Sequence, residues 1–156
     1  LIQVGVNELA AHMFIFYYAV LSEVSPPTAL SPMAAATICH GDPYRTVIAA
    51  LRYTLPAFLV PLAFTLRPDG LGLLLEGPGL SILSACLFAV ALVIAAASAA
   101  SGFLFRPLSL AVRGLFGLSG LAFLLAPPAL QYGALALLLT LVGWARLTAR
   151  REPSAA

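Results

Sequence analysis

Between Ala10 and Cys39 the chain stays apolar for about 30 residues, and in the middle of that run stands Ser22-Glu23-Val24-Ser25-Pro26-Pro27-Thr28. As one helix the run would measure roughly 45 Å, against about 30 Å for the hydrocarbon core of a bilayer. Pro26 and Pro27 carry no amide hydrogen, so a helix through them leaves the carbonyls of Ser22 and Glu23 without their usual donors. Backbone at membrane depth is left irregular only where it lines a cavity or lies inside protein. The run therefore reads as two half-helices, Ala10–Ser22 and Pro26–Ile38, joined by an extended turn. Ser25 is a suitable N-cap for the second half, and Pro32 adds a kink.

Such a turn implies a membrane, and the composition agrees. Of 156 residues, 62% are hydrophobic and 9% charged, where soluble domains carry about a quarter charged residues. Mean hydropathy is +1.02. The fold class is all-α: a polytopic helical membrane protein with one broken helix and about four transmembrane helices. All eight basic residues are arginine, and a net charge of +2 is too small for nucleic-acid binding. Cys39 and Cys86 fall in apolar surroundings at a separation that fits neither a disulfide framework nor a metal site, and read as small buried hydrophobes. A start at Leu1, without the basic opening of a signal peptide, reads as a fragment or the tail of a longer polypeptide.

Beyond the broken run, His40-Gly41-Asp42-Pro43 is a turn in which Asp42 caps the next helix and Pro43 opens it. That helix starts at Tyr44, and Leu51–Leu66 completes a span kinked by Pro56 and Pro61. Arg67-Pro68-Asp69-Gly70 ends it, Leu71–Leu75 is a short apolar re-entry, and Glu76-Gly77-Pro78-Gly79 is a second turn. Three further spans follow: Leu80–Phe105, with a small-residue face; Leu108–Ala126, with Gly114, Gly117 and Gly120; and Ala129–Ala145. Trp144 anchors the last at the interface, before Arg146, Arg150 and Arg151. With a cytoplasmic C-terminus, alternation puts these three, Arg106, Arg113, Arg45 and Arg52 inside and leaves only Arg67 outside, as the positive-inside rule requires.

The run from Ala11-His12-Met13-Phe14-Ile15-Phe16-Tyr17-Tyr18 through Ser22-Glu23-Val24-Ser25-Pro26-Pro27-Thr28-Ala29-Leu30 resembles the large permease subunit of TRAP (tripartite ATP-independent periplasmic) transporters. It is most similar to the fused permeases of the TAXI branch, where an H-x-F-x-F-Y stretch precedes an acid and a T-P-P-V-A/G-L motif. Gly41-Asp42-Pro43 and Leu55-Pro56-Ala57-Phe58-Leu59-Val60-Pro61 resemble the last core span of the same family. Ser25 replaces the family's threonine, and Thr28-Ala29 its Val-Gly or Val-Ala. On this resemblance, residues 1–75 are the C-terminal part of the transport core of an elevator-type inverted-repeat transporter, and residues 76–156 a three-span extension. The implied function is secondary active uptake of a small organic anion, coupled to an ion gradient, in the bacterial inner membrane. The implied partners are a periplasmic substrate-binding protein, the remaining permease repeat and a small membrane subunit. No cofactor is implied; the coupling ion is Na⁺.

The implied ion and substrate site is Ser22, Glu23, Ser25, Pro26, Pro27 and Thr28, with Na⁺ at Ser22, Glu23, Ser25 and Thr28. The alternative is a proline kink whose hydroxyls bond back to the freed carbonyls. Glu23 serves as ion ligand, as proton carrier, or as partner of a basic group elsewhere, and H⁺ coupling stays open with it. His12 stands about three helical turns before Glu23 on the same face, as a lining group or an interfacial histidine. Cys39-His40 lacks a second pair to complete a metal site. Nothing forms a nucleophile–base set or a phosphate-binding loop, which points away from an enzyme. The competing functional classes are a non-transporting membrane-assembly module and an elevator-type anion carrier without a binding protein.

Overall fold

The computed structural model describes residues 5–151, apart from the side chains at 68, 69, 128 and 149–151. Asp69, Arg150 and Arg151, expected near Arg67 and Arg146, therefore lie outside the described side chains. Six α-helices make the frame: α1 (Glu8–Leu21), α2 (Leu30–Ile38), α3 (Pro43–Leu66), α4 (Gly79–Ser101), α5 (Leu110–Leu125) and α6 (Pro128–Arg151). Three of them, α3, α4 and residues 129–148 of α6, are long and apolar enough to cross a membrane; the 16-residue α5 is apolar but shorter. This is an all-α polytopic membrane protein.

The break after α1 is wider than the sequence suggests. A 3₁₀ turn, Ser22–Val24, follows α1 directly, and α2 begins only at Leu30, not at Pro26. Its N-cap is Ala29, in a left-handed conformation (φ 44°) and without a capping side chain, so Ser25 is not the cap. Pro32 supplies the reason. From Leu30 it is the third helical residue, where the missing amide is one of the helix's free donors anyway. From Pro26 it would be the seventh, and an interior proline costs about 3 kcal/mol. In the first turn Pro32 also has no preceding turn to kink.

Asp42 does cap α3, its side chain accepting from the Arg45 amide at 3.1 Å, with Pro43 in the first turn. Pro56 and Pro61 sit buried within this one continuous helix. The Thr54 hydroxyl bonds the Ala50 carbonyl at 2.9 Å and the Thr65 hydroxyl bonds the Pro61 carbonyl at 2.6 Å, so both threonines satisfy themselves on the helix. Both halves of the broken helix pack on α3. Tyr18 fixes α1 there: its hydroxyl donates to the Phe58 carbonyl at 2.8 Å, and the two rings lie 5.8 Å apart.

The expected re-entry is a 3₁₀ segment, Pro68–Leu74, wedged between α3 and α4. Only glycine fits its closest approaches: a Cβ on Gly70 would lie 2.2 Å from the Ala63 carbonyl oxygen, and one on Gly72 would lie 2.9 Å from the Ala85 Cβ. Helix α4 stops at Ser101, four residues short of the expected Phe105. Gly102 takes a left-handed φ of 71° as its cap, and Phe103–Leu104 (β1) then pairs antiparallel with Arg106–Pro107 (β2) in a minimal ribbon. Helices α4 and α5 pack through small residues, with Gly120 opposite Ala95 and Gly117 opposite Ala99. Helix α6 runs past the expected Ala145 to Arg151.

The apolar core joins the end of α3 to the three tail helices. Ala63 packs in one cluster with Ala91, Leu92, Ala95, Phe116, Phe123 and Leu138. Cys39 and Cys86 are exposed, not buried. An outward face in a membrane meets lipid, so a weakly polar thiol loses nothing there.

Candidate functional site

The break is built from the ends of two short helices that cannot join. The Glu23 carbonyl faces prolines three and four residues on, so no helical donor reaches it. The neighbouring carbonyls are met by side chains. Ser25 is buried, and its hydroxyl donates to the Leu21 carbonyl at 3.0 Å. The Thr28 hydroxyl donates to the Ser22 carbonyl and, at 3.5 Å, to that of Ser25. The Ser22 hydroxyl turns back to the Ala19 carbonyl at 2.6 Å. The backbone closes through Ser25 N to Ser22 O and Ala29 N to Ser25 O, and the Pro26–Pro27 bond is cis.

All six residues singled out from the sequence thus fall in one turn. They differ in exposure, however. Ser25 is buried, whereas Glu23, Pro26, Pro27 and Thr28 are exposed on this chain and Ser22 is half-buried. Among the described residues, Glu23 has no ion-pair partner. His12 is also exposed, with its Nε2 3.8 Å from Glu8, one turn back on α1. Among the described residues no group of three His, Cys, Asp or Glu side chains is placed to hold a metal ion.

Chemically, the turn offers oxygen atoms and little else. The C-terminal carbonyls of α1 form a partially negative end, while the first amides of α2 form a partially positive one with no side chain capping them. A hydroxyl that donates to a carbonyl still presents lone pairs on its own oxygen. One turn therefore sets cation-attracting oxygens next to anion-attracting amides.

Sequence reasoning missed a second polar feature in the tail. Gln131, 3% exposed, donates through Nε2 to the Phe123 carbonyl at 3.0 Å and the Ala126 carbonyl at 3.4 Å. Arg67 Nη1 reaches the same Ala126 carbonyl at 2.6 Å. An amide in the first turn of an otherwise apolar span, just after Pro127-Pro128, was the available signal. At the other end of the bundle, Arg113 donates to the Ala99 and Ala100 carbonyls at 3.1 and 3.3 Å, and Arg106 lies 5.6 Å from the Trp144 ring.

A discontinuous helix packed on a long proline-containing span defines a class: polytopic membrane proteins with an irregular turn inside an apolar run. The particular family follows from comparison. Residues 1–69 match the family model described as Tripartite ATP-independent periplasmic transporter, DctM component. This stretch, which takes in α1, the break, α2 and α3 and is somewhat under half of the chain, is similar to the TRAP large permease component and supports a TRAP permease fragment. No curated protein and no solved structure matches significantly.

Proposed function

We propose that the chain is the C-terminal part of a fused, TAXI-type TRAP permease that takes up a small organic anion together with Na⁺. Residues 1–75 complete the transport core and residues 76–156 form an extension. A periplasmic binding protein delivers the substrate, and the rest of the permease supplies the other repeat and the small membrane subunit. The protein lies in the bacterial inner membrane with its C-terminus cytoplasmic. The carrying observation is that the family match spans the whole break, residues 22–29, where oxygen donors concentrate.

In this reading Na⁺ binds beside Ser22, Glu23, Ser25 and Thr28, at the carbonyl end of α1. Its charge replaces the missing donors around the break and orders the turn. The uncapped amides of α2 then meet the anionic group of the substrate. Glu23, exposed on this chain, faces the part of the permease that encloses the site. The hydrogen bonds from Ser25 to the Leu21 carbonyl and from Thr28 to the freed Ser22 carbonyl favour a second reading, in which the turn is a self-repaired kink with no ligand.

Uptake by the full permease in proteoliposomes, with its binding protein, separates the two. Glu23→Gln and Ser25→Ala should each raise the Na⁺ concentration for half-maximal uptake by about tenfold, the equivalent of ~1.4 kcal/mol. Unchanged Na⁺ dependence in both variants favours the repaired kink.

A further inference from the structure

The tail helices are charged at one end only. Between Glu76 and Glu152 the sequence holds five arginines and no acid, lysine or histidine. Arg106 and Arg113 stand at the α4–α5 corner, and Arg146, Arg150 and Arg151 in the last two turns of α6. The contact of Arg106 with Trp144 joins that corner to the end of α6.

The same corner turns its aromatic residues outward. Phe103 is 58% exposed, Phe105 54% and Trp144 46%. Phe105 also holds a left-handed φ of 59°, which glycine takes freely and a bulky residue takes at a cost. In water the β1–β2 ribbon would combine that strain with two wet phenylalanine rings. Its depth removes the conflict. Helix α4 has 23 residues, about 35 Å against a hydrocarbon core of about 30 Å. The ribbon that follows it therefore lies at the membrane boundary, where rings rest among acyl chains and cations among headgroups.

The two arginines of the corner have different duties. Arg113 turns inward, donating to the Ala99 and Ala100 carbonyls and closing the end of α4. Arg106 is half-buried with its Cζ 5.6 Å from the Trp144 ring centroid, and among the described residues its guanidinium donates no hydrogen bond. A guanidinium laid on a ring keeps its N–H edges for oxygen acceptors. With no acid in the tail and exposed rings on either side of Arg106, the acceptor at hand is a lipid headgroup.

We propose that the 103–107 ribbon and Trp144 form an interfacial anchor selective for anionic phospholipid. Phe103 and Phe105 lie at the top of the acyl layer, and Arg106, held over the indole, donates to headgroup phosphate. Every phospholipid offers a phosphate, so selectivity comes from net charge: unopposed arginines draw lipids that carry a net negative one. The anchor depends on the tail helices and not on the transport reading of the break.

Trp144 is the single tryptophan of the chain, so its fluorescence reports on this corner alone. The test places the whole chain in phosphatidylcholine vesicles in which a fixed fraction of lipid is brominated, either as phosphatidylglycerol or as phosphatidylcholine. Brominated phosphatidylglycerol should quench at least about twofold more strongly at equal mole fraction, each normalised to its unbrominated vesicle. Bromines near the headgroup should quench more than bromines near the chain ends. Arg106→Gln should cut the lipid preference at least by half and leave the depth order unchanged. Salt at ~1 M, where the Debye length is about 3 Å, should weaken the preference in the unaltered chain. Equal quenching by the two lipids overturns the proposal, as does stronger quenching from the chain ends. So does a preference unchanged in folded Arg106→Gln or, should that variant not fold, a preference insensitive to salt. Absence of quenching by either lipid would mean that protein covers the corner, and overturns it too.

Discussion

Thr28 is the residue at which the two readings of the break part. Its hydroxyl is bonded to the Ser22 carbonyl, which among the described residues otherwise receives only the Ser25 amide at 3.4 Å. Thr28→Val keeps the branched shape and removes the donor. A repaired kink then loses about 1 kcal/mol of stability and transports with unaltered Na⁺ dependence. A cation site loses affinity for Na⁺ as well, by several-fold, measurable as a shift in half-maximal uptake at matched protein levels. The sequence names the hydroxyls at 22, 25 and 28, so the polar content of the turn was legible. Which carbonyl each one meets was not, because that depends on the left-handed turn at Ala29, where no glycine announces it.

Among elements, the glycine spacing of α5 was legible and its use is specific. Gly120 lies where a Cβ would be 3.6 Å from the Ala95 Cβ and 3.9 Å from the Ala96 amide, so α4 and α5 approach closely at this level. Gly114 meets nothing within 4 Å. Gly120→Leu should therefore force the two helices apart and lower the melting temperature in detergent by several degrees. Gly114→Leu should leave it within experimental error. Overpacking of this kind typically costs 1–3 kcal/mol, about 2–4 °C or more in a chain of this length. The end of α4 was misjudged for a related reason. The apolar residues Phe103–Phe105 extend the hydropathy beyond the helix, while Gly102, the true stop, is a backbone signal that hydropathy does not register.

For the whole molecule, the packing separates arginines that the sequence also sets apart. Arg67 shares one end of the bundle with the start of α6, through Ala126, while Arg106 and Trp144 meet at the other. A cavity between α3, α4 and α6 was invisible because no short stretch of sequence contains it; its lining spans residues 63–132. The same dispersal sets a limit on dissection. The family match ends at residue 69, yet Phe64 is 4% exposed and Ala63 belongs to a core otherwise made by α4, α5 and α6. A chain cut after residue 75 should aggregate on extraction, and co-expression of residues 76–156 should restore a monodisperse species by size-exclusion chromatography. Recovery of residues 1–75 alone as a monodisperse species would show that the shared core is dispensable.

The hydrogen bond from Arg67 to the Ala126 carbonyl has a mechanical meaning as well. It ties the last turn of α3 to the α5–α6 corner, 59 positions along the chain, beside a 3₁₀ wedge with no room for even a methyl group at Gly70. A displacement of α3 has either to break this bond or to carry the α5–α6 corner along with it.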